Sequence, residues 1–192
     1  MKTVFAISLL LSSLFSFSQF GDGDKNGQLG LLGGWNYANI KASGLQTKNH
    51  NGFYAGVLWE HKIVPLVRVQ SGLLFVQNGY SLEGIPNADF TTLNYLQLPV
   101  IAKLKLGPVY ALGGITSALR VGGATNFADG TSEKVSSDDY KSYDFGAQVG
   151  LGFQFLIIGI EARYTWGLTN IAQQGVAVNN QAFSVGAHLH LL

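Results

Sequence analysis

Apolar and polar residues exchange places along this chain with a period of two. In Ile158–Thr169, the residues Ile158, Ile160, Ala162, Tyr164, Trp166 and Leu168 share one parity, and Gly159, Glu161, Arg163, Thr165, Gly167 and Thr169 share the other. Successive side chains of a strand point to opposite faces, so this segment predicts a strand with one apolar face and one small or polar face. Tyr143–Phe155 repeats the division, setting Phe145, Ala147, Val149, Leu151, Phe153 and Phe155 against Asp144, Gly146, Gln148, Gly150, Gly152 and Gln154. Gln181–Leu192 does so again, with Phe183, Val185, Ala187, Leu189 and Leu191 opposite Ser184, Gly186, His188 and His190. Gly30–Ile40, Gly52–Lys62, Val64–Tyr80, Leu93–Lys105 and Val109–Val121 complete eight such segments, with looser alternation in the first, third and fifth. Beyond the N-terminus no window sustains a helical period, so the chain is predicted to be all-β.

The connections alternate between long and short. Lys41–Asn51, Ser81–Thr92, Gly122–Ser142 and Asn170–Asn180 are long and polar or glycine-rich, whereas the links around Ile63, Leu106-Gly107-Pro108 and Leu156-Ile157 are very short. Membrane barrels of the outer-membrane type have this asymmetry, with short turns on the periplasmic side and long loops outside. Each segment is near or above the roughly 9–11 residues that a tilted strand needs to cross a bilayer. The predicted fold is therefore an eight-stranded antiparallel up-and-down transmembrane β-barrel with both termini in the periplasm.

Composition sharpens this reading. Charged residues make up only 12% of the 192, and glycine reaches 25. Ordinary globular chains are about a quarter charged and about 7% glycine. A lipid-facing surface that excludes charge and a crowded interior that favours residues without bulk account for both departures. Twelve Lys and Arg against 11 Asp and Glu give no basic surplus to attract nucleic acid. There is no cysteine, which excludes disulfides and a cysteine-linked lipid anchor.

Residues 1–18 read as a cleaved export signal: Lys2 supplies the positive start, Val4 to Phe17 is apolar apart from serines, and Ser16-Phe17-Ser18 places small residues at the cut. That apolar run is too short for a transmembrane helix. Residues 19–29 then form a periplasmic linker and 30–192 the barrel domain.

Asn94–Gly107, NYLQLPVIAKLKLG, resembles the central strand of the PorT-like family of outer-membrane β-barrel proteins. YDFGAQVGLGFQF at Tyr143–Phe155 and IEARYTWGLTNI at Ile160–Ile171 are similar to that family's sixth and seventh strands. The chain departs from the pattern at Gln97, where an acid is common, and at Leu192, where such barrels often end in an aromatic residue. The resemblance implies an eight-stranded barrel in the outer membrane of a diderm bacterium. Some relatives serve the type IX secretion and gliding machinery, which implies an envelope or secretion-machinery protein as a partner.

Candidate chemistry is sparse. Asp22-Gly23-Asp24-Lys25-Asn26-Gly27 starts like a calcium loop, but its twelfth position is Gly33 where a bidentate Glu is needed, so it reads as linker. His188 and His190 share a strand face at a spacing that chelates metal only with a third ligand, and read as a structural pair in the lumen. Trp35, Tyr37, Trp59, Tyr164 and Trp166 fit interfacial girdles. Asp129, Glu133, Lys134, Asp138 and Asp139 fit a solvated loop. Glu60, Arg68, Lys103, Glu161 and Arg163 all take the lumen-facing parity toward the periplasmic half. Two acids and three bases buried together must pair, and an eight-stranded barrel is just wide enough to be filled by its own side chains. They are expected to form a structural plug.

No nucleophile elbow, phosphate loop or metalloprotease helix is present, so no catalytic residue, cofactor or metal is expected. The expected protein is a non-enzymatic monomer that sits in outer-membrane lipid and acts through its extracellular loops. The rival reading is a soluble exported lipocalin-like barrel that binds an apolar ligand. It requires the apolar faces to point inward. A membrane-embedded enzyme would need an acid–base constellation at the outer rim.

Overall fold

The computed structural model describes residues 27–42, 47–82, 88–127, 131–134, 143–169 and 178–191. The signal at 1–18, the linker up to residue 26 and Asp129, Asp138 and Asp139 lie outside them. The strands are β1 (Gly27–Ala42), β2 (Thr47–Val64), β3 (Val67–Leu82), β4 (Ala88–Leu106), β5 (Val109–Phe127), β6 (Ser132–Lys134), β7 (Tyr143–Phe155), β8 (Ile158–Gly167) and β9 (Val178–His190). Every pairing is antiparallel, and β1 closes on β9, so eight strands form a complete ring without a free edge. The short β6 pairs only with Ala124–Asn126 at the far end of β5 and stands outside the ring.

Register sets the dimensions. Paired residues followed from Leu29 through Trp59, Ser71, Val100, Ile115, Ala147, Trp166 and Gln181 return to β1 at Asn39, ten residues further along. With ordinary strand spacing, that stagger over eight strands tilts them by about 40° and gives a backbone radius of about 8 Å. Side chains fill such a barrel.

Burial follows the predicted parity. On β7, Phe145, Val149, Leu151, Phe153 and Phe155 are exposed while Gly146, Gln148 and Gln154 are buried. On β4, Val100, Ala102 and Leu104 face out while Pro99, Ile101 and Lys103 are buried. The apolar surface thus points outward, the reverse of a lipocalin-type barrel. Inside, Leu32, Tyr54, Leu58, Leu74, Val76, Leu93 and Tyr95 pack together against the β1–β4 wall.

Two expectations need correction. The first short connection lies at Pro65–Leu66 rather than around Ile63, with Val64 paired to Val67. Proline lacks the N–H that a ladder needs, so it belongs in the turn and not in the third strand. The long connections are also shorter than expected, because β1 to β5 run 16 to 19 residues and absorb much of Lys41–Asn51, Ser81–Thr92 and Gly122–Ser142. Above the lipid both strand faces meet water, so pairing continues there without the alternation that reveals a strand.

Candidate functional site in the barrel lumen

The lumen is densely charged in its lower half, toward the short turns, and lined mainly by neutral side chains in its upper half, with Asp144 among them. Glu60 on β2 is fully buried and receives Lys103 Nζ from β4 at 2.6 Å and Arg68 Nη1 from β3 at 3.1 Å. Arg68 also donates to Gln28 Oε1 on β1 at 2.9 Å. Glu161 on β8 pairs with Arg163 on the same face of the strand and accepts the Tyr110 hydroxyl from β5 at 2.9 Å. The five charged residues singled out by parity therefore form two carboxylate-centred groups. Ions removed from water need such compensation, since either partner left alone is costly.

Histidines and an aromatic ring join the two groups. His190 Nε2 stands 3.6 Å from Glu60 and His188 Nδ1 stands 3.6 Å from Glu161, with the imidazole rings 4.8 Å apart. Lys103 Nζ lies 4.2 Å above the centre of the Tyr110 ring, which places one cation between a carboxylate and a π-face. Gln154 on β7 accepts from Lys105 Nζ at 2.8 Å, and Gln148 accepts from Arg163 at 3.2 Å. Every strand of the ring contributes to this network.

Tyr110, His188 and His190 were not grouped with the charges by sequence, nor were Gln28, Lys105, Gln148 and Gln154. Parity alone flags Lys105, which lies two residues beyond Lys103, and the inward glutamines of β7. Glycine makes room for the rings. A Cβ at Gly152 would collide with the Tyr110 ring, and one at Gly159 would collide with the His188 ring. Among the described residues, no group of three His, Cys, Asp or Glu side chains is arranged to hold a metal ion.

Above this layer lies a cavity of about 50 Å³ whose walls include Asn36, Asn78, Thr116, Gln148, Thr165 and Ser184. It has space for a few water molecules. Ser184 donates to Asn36 at 2.7 Å, and Asn36 donates to Asn78, which ties β9, β1 and β3 together across its upper part. On the outer surface Trp35, Tyr37 and Trp166 are exposed, and Tyr164 meets Trp166 edge to face at 4.7 Å. Trp59 is half-buried and lies over Gly27, lower on the wall.

A closed ring of eight tilted strands with an apolar exterior and a charged interior is the form of a small membrane barrel. The sequence model for the outer membrane protein beta-barrel domain matches residues 17–173. The chain belongs to this outer-membrane β-barrel family. Its fold is shared with solved outer-membrane barrels of low sequence similarity. Neisserial surface protein A is 14% identical with a TM-score of 0.59, over 85% of this chain and 97% of that one. Ail, the attachment invasion locus protein of Yersinia pestis, is 16% identical with a TM-score of 0.55, over 86% and 99%. No curated protein matches the chain. Membership of the outer-membrane family places the protein in the lipid of a Gram-negative outer membrane, with the short turns toward the periplasm.

Proposed function

We propose that this protein is a closed, non-enzymatic barrel that acts as a scaffold or partner-binding element through its extracellular rim. The observation that carries this is the lower lumen. Glu60, Arg68, Lys103, Glu161 and Arg163, joined by Tyr110, His188 and His190, meet inside the lumen as mutually paired, buried side chains. A solute would have to break several buried ion pairs to pass. The function then moves to the rim, where β1 to β5 continue past the bilayer and β5 carries the β6 hairpin. The resemblance of Asn94–Gly107 to the PorT-like central strand supports a partner in a secretion machinery as the specific form of this role.

Purified protein reconstituted in planar bilayers is the test. The expected result is no stable conductance step, and Glu60→Ala with Glu161→Ala should introduce leak currents. Porin-sized steady channels from the unmodified protein would overturn the reading.

A further inference from the structure

In most water-facing hairpins the turn is polar, because its backbone groups look to solvent for partners. The three short turns here are not polar. Their sequences are Val64-Pro65-Leu66-Val67, Leu106-Gly107-Pro108-Val109 and Phe155-Leu156-Ile157-Ile158. Leu66 is 50% exposed, Leu106 57% and Leu156 79%. Phe155, Ile157 and Ile158 are exposed beside Leu156 and line a wide apolar groove with Phe153 and Ile160.

Three further observations say what covers this end. First, four of the six turn carbonyls are already satisfied within the barrel. Leu66, Pro108 and Ile157 each offer a carbonyl that accepts an N–H from the next strand, at 2.8, 2.7 and 2.8 Å, and the Gln154 side chain donates to the Leu156 carbonyl at 2.9 Å. Pro65 and Pro108 have no N–H to satisfy. Backbone groups that keep no internal partner stay at the hydrated interface, so it is the turn side chains that meet hydrocarbon.

Second, the apolar outer wall runs down to the turns without interruption by charge. Its upper limit is marked by the outward polar residues Asn51, Gln77, Asn94 and Gln181 and by Tyr143. No outward position between that line and the turns carries Asp, Glu, Lys or Arg among the described residues. From Phe145 down to Phe155, at the end of β7, the tilted strand descends by about 25 Å, the usual height of the lipid-facing band. The turns therefore sit at the lower edge of that band, directly continuous with it.

Third, Leu156 has φ of 54°, a left-handed conformation that favours glycine, and Gly107 occupies the matching position of the β4–β5 turn with φ of 69°. A large apolar residue is held at a strained position at the tip. Insertion of that side chain into an apolar medium offsets the strain.

We infer that the short-turn end of the barrel is embedded in the inner leaflet of the membrane, with Leu66, Leu106, Leu156 and Ile157 in contact with lipid. The surface is continuous with the lipid-facing wall, and its occupant is lipid hydrocarbon rather than periplasmic water.

The absence of native cysteine permits clean single-site labelling. Leu66→Cys, Leu156→Cys and, as a reference on exposed β6, Ser132→Cys would each carry a nitroxide in phosphatidylcholine vesicles. Collision with oxygen, which concentrates in hydrocarbon, is compared with collision with a water-soluble nickel chelate. The oxygen-to-nickel ratio is expected to be severalfold higher at 66 and 156 than at 132. Should Leu156→Cys fail to fold, Ile157→Cys gives the same readout. Ratios at 66 and at 156 or 157 equal to that at 132 would overturn the inference. So would nickel access in vesicles combined with protection in native outer membrane, because a protein would then be the cover.

Discussion

The two halves of the lumen solve the same packing problem with different chemistry. Toward the periplasm, two buried carboxylates gather three cations, two histidines and a tyrosine, and large rings lie over glycines. Toward the outside, amides, hydroxyls and apolar side chains, with Asp144 and Arg163 at the wall, surround a cavity of about 50 Å³. The lower half is dense and its members are charged, so losing one strands its partner in a low-dielectric interior. The upper half has mostly neutral members and adjacent space, so water can replace what a substitution of a neutral residue removes. Sensitivity should therefore decline from the short turns to the outer rim.

Glu60→Ala is expected to have the largest effect. It leaves Lys103, 1% exposed, and Arg68 without their carboxylate. Breaking a buried pair from one side costs about 3–5 kcal/mol. Urea unfolding in lipid vesicles should show the midpoint fall sharply, with loss of heat-modifiable gel mobility. An unchanged midpoint would mean the lower half is as wet as the upper.

Gly152→Ala should come next. The added methyl collides with the Tyr110 ring, whose face is taken by Lys103 and whose hydroxyl is bound to Glu161, so rotating away would break both contacts. Overpacking of this kind costs about 1–3 kcal/mol. The same unfolding experiment on Gly152→Ala combined with Tyr110→Ala should show less than the sum of the two single losses, because the clash is gone.

In the upper half, Asn36→Ala removes the residue that joins Ser184 to Asn78. Water from the adjacent cavity can take up the freed groups, so the loss should stay near 1 kcal/mol. A loss as large as that of Glu60→Ala would erase the distinction between the two halves.

This gradient was only partly legible in the sequence. Strict alternation in Tyr143–Phe155 and Ile158–Thr169 reveals β7 and β8 with their facing, because lipid on one side and a filled lumen on the other demand opposite residue types. The charged set was legible for the same reason, since Glu60, Lys103 and Glu161 fall on the inward parity. Which carboxylate meets which histidine was not, because the contacts of His188 and His190 depend on the ten-residue stagger of the whole ring, and no single strand reveals it. Tyr110 escaped because a tyrosine counts as apolar in a parity pattern while its hydroxyl serves Glu161. The turn at Pro65–Leu66 was misplaced because Ile63 and Val64 carry the apolar pattern into the turn itself. The outer ends of β1 to β5 read as loops because their two faces share one solvent.

The smallest effect is expected at those outer ends. Thr91 on β4 and Thr125 on β5 face each other across the ladder, with hydroxyls 3.1 Å apart. They lie above the polar line that ends the lipid-facing band, where Thr91 is buried and the half-buried Thr125 leaves its hydroxyl open to competition from water. Thr125→Val keeps the branched shape and the strand preference and removes only that contact, a cross-strand interaction worth about 0.2–1 kcal/mol. Unfolding in vesicles should register a loss of about 0.5 kcal/mol or less. A loss comparable to that of Asn36→Ala would mean that the rim is held as firmly as the lumen. The outer extension would then share the stability of the membrane barrel rather than stand above it as a separable platform.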